Sequence, residues 1–189
     1  MSTFTIRDAR PSDAPFLAEC ILAGFHFADF DDLLSDDLSD FLDQMTECEG
    51  REDTLYTYSR TRIAEVDGQL AGSLLSYPGE LYIDLRAHTF KEFWPASFTK
   101  FANDDPETEP GEYYLDSLAV HPAYRKQGIG RALLEDGIKI GLSQGFDKIA
   151  LVADSAYPHL IRMYESIGFV PAEHRHAFGT DFQRMIYSV

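Results

Sequence analysis

The densest chemistry in this sequence lies in Arg125-Lys126-Gln127-Gly128-Ile129-Gly130, two fixed positive charges and two glycines within six residues. Ahead of it, Tyr113, Tyr114, Leu115, Leu118, Ala119 and Val120 carry β-favouring side chains. His121-Pro122 stops that run, because proline cannot donate to a strand ladder. Behind it, Arg131-Ala132-Leu133-Leu134-Glu135 reads as the start of a helix. Strand, basic glycine loop and helix N-terminus, in that order, make an anion site. Glycines allow close backbone approach, several N–H groups point one way, and the helix dipole adds partial positive charge. A P-loop would need Lys-Ser or Lys-Thr after the second glycine, and none follows Gly130. A dinucleotide fingerprint would need a third glycine where Leu133 stands.

A third pattern, Arg/Gln-x-x-Gly-x-Gly/Ala, is met by Arg125, Gly128 and Gly130. With Leu118-Ala119-Val120-His121-Pro122 before it, the loop resembles the acetyl-CoA pyrophosphate loop of the GNAT N-acetyltransferase superfamily. Met163-Tyr164-Glu165-Ser166-Ile167-Gly168-Phe169 is similar to a second signature of that superfamily, Leu/Tyr-Tyr-x-x-x-Gly-Phe. The likeness covers residues 113–170 by motif and 3–77 by pattern only, and it does not reach 80–110. One position departs from it. Many members carry Asn seven residues before the signature tyrosine, where this chain has Tyr157.

The resemblance implies an α+β fold, an α/β/α sandwich. Its mixed, mostly antiparallel sheet would have a splayed central parallel strand pair and four or more helices. It also implies acetyl-CoA as acyl donor, without a metal. Gln127, Gly128, Ile129, Gly130 and Arg131 would supply N–H groups to the pyrophosphate, aided by the charges of Arg125, Lys126 and Arg131. Leu118, Ala119 and Val120, freed by a bulge, would pair with the pantetheine amides. The Leu118 N–H is the implied oxyanion donor, and Tyr157 could pack on the pantetheine arm. Tyr164 would protonate the departing thiolate, since a thiol titrates near ~8.5 and a tyrosine near ~10. The attacking amine must be neutral, and Asp116, on the opening strand, is the first candidate base. Glu112 and His121 are further candidates. Asp116 could instead bind the acceptor ammonium or cap a turn, and Tyr164 could be an ordinary core tyrosine.

The rest of the chain must position these groups. Its 189 residues, 44% hydrophobic, suffice for one domain with a real core, and the region 80–110 reads as an insertion within it. The N-terminal residues lack the apolar run of a signal peptide, and no stretch approaches the ~18 apolar residues of a membrane helix. Cys20 and Cys48 form neither a metal spacing nor a disulfide framework, so a cytoplasmic protein with reduced thiols is expected. His26, His88, His159, His174 and His176 show no metal spacing either. A net charge of −16 argues against bulk nucleic-acid binding. Between Asp29 and Asp53, eleven acidic residues face one basic one. They form either a solvated helix face or a wall that attracts a cationic acceptor.

In chain order, Phe4 to Arg7 predicts a strand. A helix follows, capped by Ser12 or Asp13 and lined by Phe16, Leu17, Cys20, Ile21 and Phe25. A second helix is predicted from Asp36 to Glu47, ended by Gly50. Tyr56 to Val66 and Gln69 to Tyr77 predict a hairpin around Asp67-Gly68. Glu80 to Pro110 predicts one or two short helices and an acidic loop. Its aromatics lie near the acceptor cleft in one reading, and cover the core or a homodimer interface in the other. Arg131 to Gln144 predicts a helix in which Gly137 and Gly141 permit close packing. Asp147 to Ala153 predicts a strand parallel to the opening one. A helix capped by Ser155 should follow, then strands at Phe169-Val170 and at Phe182 to Tyr187.

The first functional reading is acetyl transfer from acetyl-CoA to a primary amine of a small molecule or protein. The alternative is a non-catalytic acyl-CoA-binding or regulatory module of the same fold. Phosphoryl transfer is disfavoured by the missing Lys-Ser/Thr.

Overall fold

The computed structural model describes residues 3–24 and 38–189. The chain is one seven-stranded mixed sheet, ordered β1-β2-β3-β4-β5-β7-β6, with α-helices between the strands. It separates into two compact units, 1–76 with 117–137, and 77–116 with 138–189.

In the first unit, β1 (Phe4–Asp8) pairs antiparallel with β2 (Thr61–Val66), and β2 with β3 (Gln69–Pro78). Asp67 (φ 50°) and Gly68 (φ 79°) both take the left-handed conformation that a two-residue hairpin requires. β2 begins later than the Tyr56 predicted from its aromatics. Thr57 instead caps a 3-10 turn, its side chain accepting from the Ser59 N–H, and that turn takes up Tyr58 to Arg60. α1 (Ala14–Gly24) buries Leu17, Cys20 and Ile21. Its entry is held by Asp13, which accepts from the Arg10 N–H at 2.8 Å and from Arg7 at 2.7 Å. α2 (Ser39–Glu49) buries Met45 and Cys48 and exposes Asp40, Asp43 and Glu47, an amphipathic division. The predicted start of α2 at Asp36, together with Phe25, His26 and Asp29 to Asp37, lies outside the described residues.

β4 (Tyr113–Val120) runs from the end of the insertion to the turn before α5 (Ile129–Ser143). The Tyr113 ring lies where a Cβ on Gly141 of α5 would fall, 2.8 Å away. Leu118 and Val120 lie beside Gly130 of the same helix, while Ala119 packs with Cys20 of α1. The parallel register with β5 (Lys148–Asp154) consists of Tyr113↔Ile149 and Tyr114↔Ala150, two rungs of an eight-residue strand.

In the second unit, β6 (Val170–Ala177) and β7 (Thr180–Ser188) form a hairpin, and β7 also pairs antiparallel with β5. β6 extends well beyond the Phe169-Val170 that marked it in the sequence. The turn is Phe178-Gly179, both at left-handed φ. α6 (Pro158–Glu165) has Tyr157, not Ser155, at its N-cap. Asp154 takes the local capping role, accepting from the Ala156 N–H at 2.8 Å. The region 80–110 forms α3 (Tyr82–Phe93), α4 (Pro95–Lys100) and a return loop. Its aromatics cover the β6–β7 turn: Phe90 stacks on Phe178 at 5.9 Å, and Phe101 meets the same ring at 5.2 Å. The neck of this insertion is tight. Gly79 N–H donates to Glu112 O at 2.7 Å, and a Cβ on Gly79 would fall 2.2 Å from Glu109 O.

Candidate active site

The predicted anion loop has the backbone it needs. Lys126 (φ 61°) and Gly128 (φ 84°) are both left-handed, turning successive amides into a concave nest, and among the described residues no atom lies within 4 Å of where a Cβ on Gly128 would fall. Residues 125–128 are exposed. α5 begins at Ile129, two residues before the predicted Arg131, so Ile129, Gly130 and Arg131 are its first N–H groups, which have no intrahelical acceptor. Arg125 folds back, its Nε donating to Val120 O at 3.0 Å, which ties the loop to the end of β4. Arg131 pairs with Glu135 at 2.9 Å, so part of the charge assigned to phosphate is engaged along the helix. The fit to a pyrophosphate therefore rests on backbone amides first and on Lys126 and Arg125 second.

Gly72 of β3 was not singled out by its sequence context. A Cβ there would lie 2.7 Å from Ala119 O and 3.3 Å from Val120 Cα. Only glycine lets that strand approach the backbone of Leu118-Ala119-Val120 so closely.

In the second unit, Asp116 accepts a hydrogen bond from Tyr77 Oη. Tyr77 and Tyr114 meet edge to face at 5.7 Å, and Tyr82 and Tyr114 at 6.4 Å. Tyr82 Oη donates to Glu107 Oε2 at 3.0 Å. Burial, then the nearby Asp116 charge, push the Glu107 carboxyl up to about 8. Glu107 nevertheless keeps some solvent contact at the residue level. Burial also pushes all three tyrosine hydroxyls above their ordinary range, so each stays a protonated donor. Tyr164 is 9% exposed and its ring packs on Phe169. Burial raises its hydroxyl to about 12, so it holds its proton at every working pH. Tyr157 is half-buried and meets the His159 ring edge to face, with 6.0 Å between ring centroids.

Two candidate bases have structural occupations. Glu112 forms an ion pair with Arg184 in which both side chains are 5% exposed, and it also accepts from the Glu109 N–H at 3.1 Å. His121 Nδ1 accepts from the Ala123 N–H at 3.3 Å, capping the turn that ends β4. Both cysteines are buried free thiols, and burial raises their pKa, Cys48 to about 12. They are packing residues rather than nucleophiles. Among the described residues no cluster of His, Cys, Asp and Glu could hold a metal ion, and no helix is long and apolar enough to cross a membrane.

Known proteins resemble this chain in both sequence and fold. The Acetyltransferase (GNAT) family matches residues 25–169. The [Ribosomal protein bS18]-alanine N-acetyltransferase of Escherichia coli K12 is 32% identical over 112 residues, 49% of this chain and 73% of that protein. Mycothiol acetyltransferase of Propionibacterium freudenreichii is 38% identical over 72 residues, 38% of this chain but 22% of its own length. The match thus spans about a fifth of that protein. An N-acetyltransferase from Staphylococcus aureus Mu50 shares the fold with a TM-score of 0.77 at 21% identity, over 96% of this chain and 99% of its own. Together with the nest before α5, the match over 25–169 shows that this chain belongs to the GNAT acetyltransferase family.

Proposed function

We propose that the protein transfers an acetyl group from acetyl-CoA to a primary amine, by direct attack within a ternary complex. The observation that carries this reading is the left-handed pair Lys126 and Gly128 opening onto the first N–H groups of α5, in a chain of this family. Gln127 to Arg131, with Arg125 and Lys126, bind the donor's pyrophosphate. Leu118 to Val120 offer backbone groups to the pantetheine arm, and the Leu118 N–H faces the developing oxyanion. Asp116 receives the acceptor amine and Tyr164 donates a hydrogen bond to the leaving sulfur. With its hydroxyl near 12, Tyr164 stabilises a thiolate by hydrogen bonding more readily than by giving up its proton.

The acceptor class is a cationic amine on a protein N-terminus, a Lys side chain or a polyamine. The net charge of −16 and the exposed Asp40, Asp43 and Glu47 support this choice, and the relatives' names fit it in kind. Buried, free Cys20 and Cys48 suit a reducing cytoplasm. Tyr157, in place of the family's Asn, favours a second reading, a module that binds acyl-CoA without turnover.

A free-thiol release assay with acetyl-CoA against N-terminal peptides, Lys peptides, polyamines and aminoglycosides separates the two. Release with at least one acceptor is expected, falling as ionic strength rises. Gly128→Glu, which puts an anion into the nest, should weaken acetyl-CoA binding at least 100-fold by calorimetry. Unchanged affinity in that variant would sink the proposal, and binding without release on every acceptor would leave the non-catalytic module.

A further inference from the structure

The insertion 80–110 begins and ends beside one group of tyrosines. Tyr77 lies at the end of β3, Tyr82 opens α3, and Tyr114 lies at the start of β4. All three are fully buried. Their rings meet edge to face in a row, Tyr77 on Tyr114 at 5.7 Å and Tyr114 on Tyr82 at 6.4 Å. The far end of the row is fixed by the return loop of the insertion, where Glu107 Oε2 accepts from Tyr82 Oη at 3.0 Å. The Tyr114 hydroxyl is turned to the same carboxyl. At the near end, Tyr77 Oη donates to Oδ2 of Asp116, a half-buried residue that stands two positions before Leu118 on β4. An aspartate side chain has three staggered χ1 wells and a broad χ2, so a half-exposed carboxylate left to itself samples several orientations. A hydroxyl on a ring packed on both sides removes that freedom, and its bond to a charged oxygen is stronger than a neutral one.

We propose that Tyr77 is a positioning residue for the acceptor: its hydroxyl sets the orientation in which the Asp116 carboxylate meets the acceptor amine, and the insertion holds the ring that carries this hydroxyl. The inference rests on the acetyl-transfer reading above, in which Asp116 receives the amine, and it adds to that reading a residue and a task for 80–110. Tyr77 acts through Asp116 rather than on the substrate. Tyr114 and Tyr82 act one and two ring contacts farther away. No proton moves along this row. Burial holds the Tyr77 hydroxyl well above its ordinary range, so it remains a donor at every working pH while the carboxylate accepts. A misdirected Asp116 should therefore weaken handling of the amine. It should spare acetyl-CoA, whose proposed contacts along the chain begin at Leu118.

The test is a double-mutant cycle on Tyr77→Phe and Asp116→Ala, read as kcat/KM for the best amine of the panel. Tyr77→Phe keeps the ring and its edge-to-face contact and loses only the hydroxyl. It should lower kcat/KM for the amine about 10-fold or more, the size expected of a hydrogen bond to a charged group. Its acetyl-CoA Kd should stay within about twofold of the wild type by calorimetry. Asp116→Ala should lower kcat/KM at least as far. In that background the hydroxyl has nothing to orient, so adding Tyr77→Phe should change kcat/KM by less than about twofold. A hydroxyl that merely supported the fold would cost the same factor in both backgrounds. Thermal unfolding reads the bond without turnover. Tyr77→Phe should lower Tm in the wild-type background but not in Asp116→Ala, where it removes a buried hydroxyl that has lost its acceptor. Tyr82→Leu cuts the row farther from Asp116. It should lower kcat/KM for the amine about threefold or more, and by less than about twofold when Asp116→Ala is already present. An acetyl-CoA Kd near the wild-type value certifies that this variant is folded, and if it does not fold the Tyr77 cycle decides the positioning role by itself.

Equal losses from Tyr77→Phe in the two backgrounds would overturn the positioning role while leaving acetyl transfer standing. Wild-type kcat/KM in either Tyr77→Phe or Asp116→Ala would do the same. A folded Tyr82→Leu protein with wild-type kcat/KM would strike the insertion from the inference. Absence of thiol release from the wild type on every acceptor would overturn both readings.

Discussion

The loop at 125–131 and the tyrosine-lined carboxyl cluster around Asp116 are built in opposite ways. The loop is seven consecutive residues, and its geometry comes from two left-handed residues and one helix start. The cluster joins Tyr77 to Asp116 and Tyr82 to Glu107, pairs 39 and 25 residues apart, and it exists only because the neck of the insertion closes at Gly79. A local site should tolerate damage elsewhere and be lost by one wrong side chain within it. A site assembled from distant segments should fail with the packing that brings them together.

The strongest way to break the contrast is through Arg184, which reaches across to Glu112 at the base of the neck. Arg184→Met leaves a buried carboxylate without its partner and should cost about 3–5 kcal/mol, read by urea unfolding at pH 7. Acetyl-CoA binding to the folded fraction should change little. Gly79→Ala comes next. Its Cβ would clash with Glu109 O, so the return loop must shift, and about 2–3 kcal/mol of stability should be lost. Urea unfolding at pH 7 reads this loss, and acetyl-CoA binding to the folded fraction should change little.

Asp13→Asn should have the smallest effect and tests a local feature. Burial works against the charged Asp13, but the hydrogen bonds from Arg7 and from the Arg10 N–H outweigh it and hold its pKa below the usual range. Its stabilisation is therefore present above the unfolded aspartate value of ~3.9 and fades as pH falls below it. Loss of about 1 kcal/mol at pH 7 is expected, with wild type and variant converging in Tm toward pH 3. A gap that persists at pH 3 would show that the asparagine disturbs more than charge.

The local features were legible in the sequence because their causes are local. Asp67-Gly68 can hardly be anything but a tight hairpin turn, and Pro158 opens a helix because its ring fixes φ and it has no N–H to lose. Gly128 before Ile129-Gly130 announces a helix entered through a left-handed residue. Errors at this level fell where two local solutions compete. Thr57 drew Tyr58 to Arg60 into a turn instead of the strand their aromatic and β-branched neighbours suggested, and Asp154 outbid Ser155 before α6. The aromatics of 80–110 were readable as a packed group, but not their target, the Phe178 turn.

By itself the sequence determined the order of elements, the anion loop and the family resemblance, since spacing along the chain dictates backbone conformation directly. Only the tertiary structure decided which carboxyls are free for chemistry. Glu112, Asp116 and Glu107 look alike as letters. One is paired with Arg184, one accepts a hydrogen bond from Tyr77 at the proposed acceptor site, and one is pressed toward its neutral form by burial and then by the charge of Asp116. A carboxyl's role follows from the dielectric and the charges around it, and those come from residues dozens of positions away.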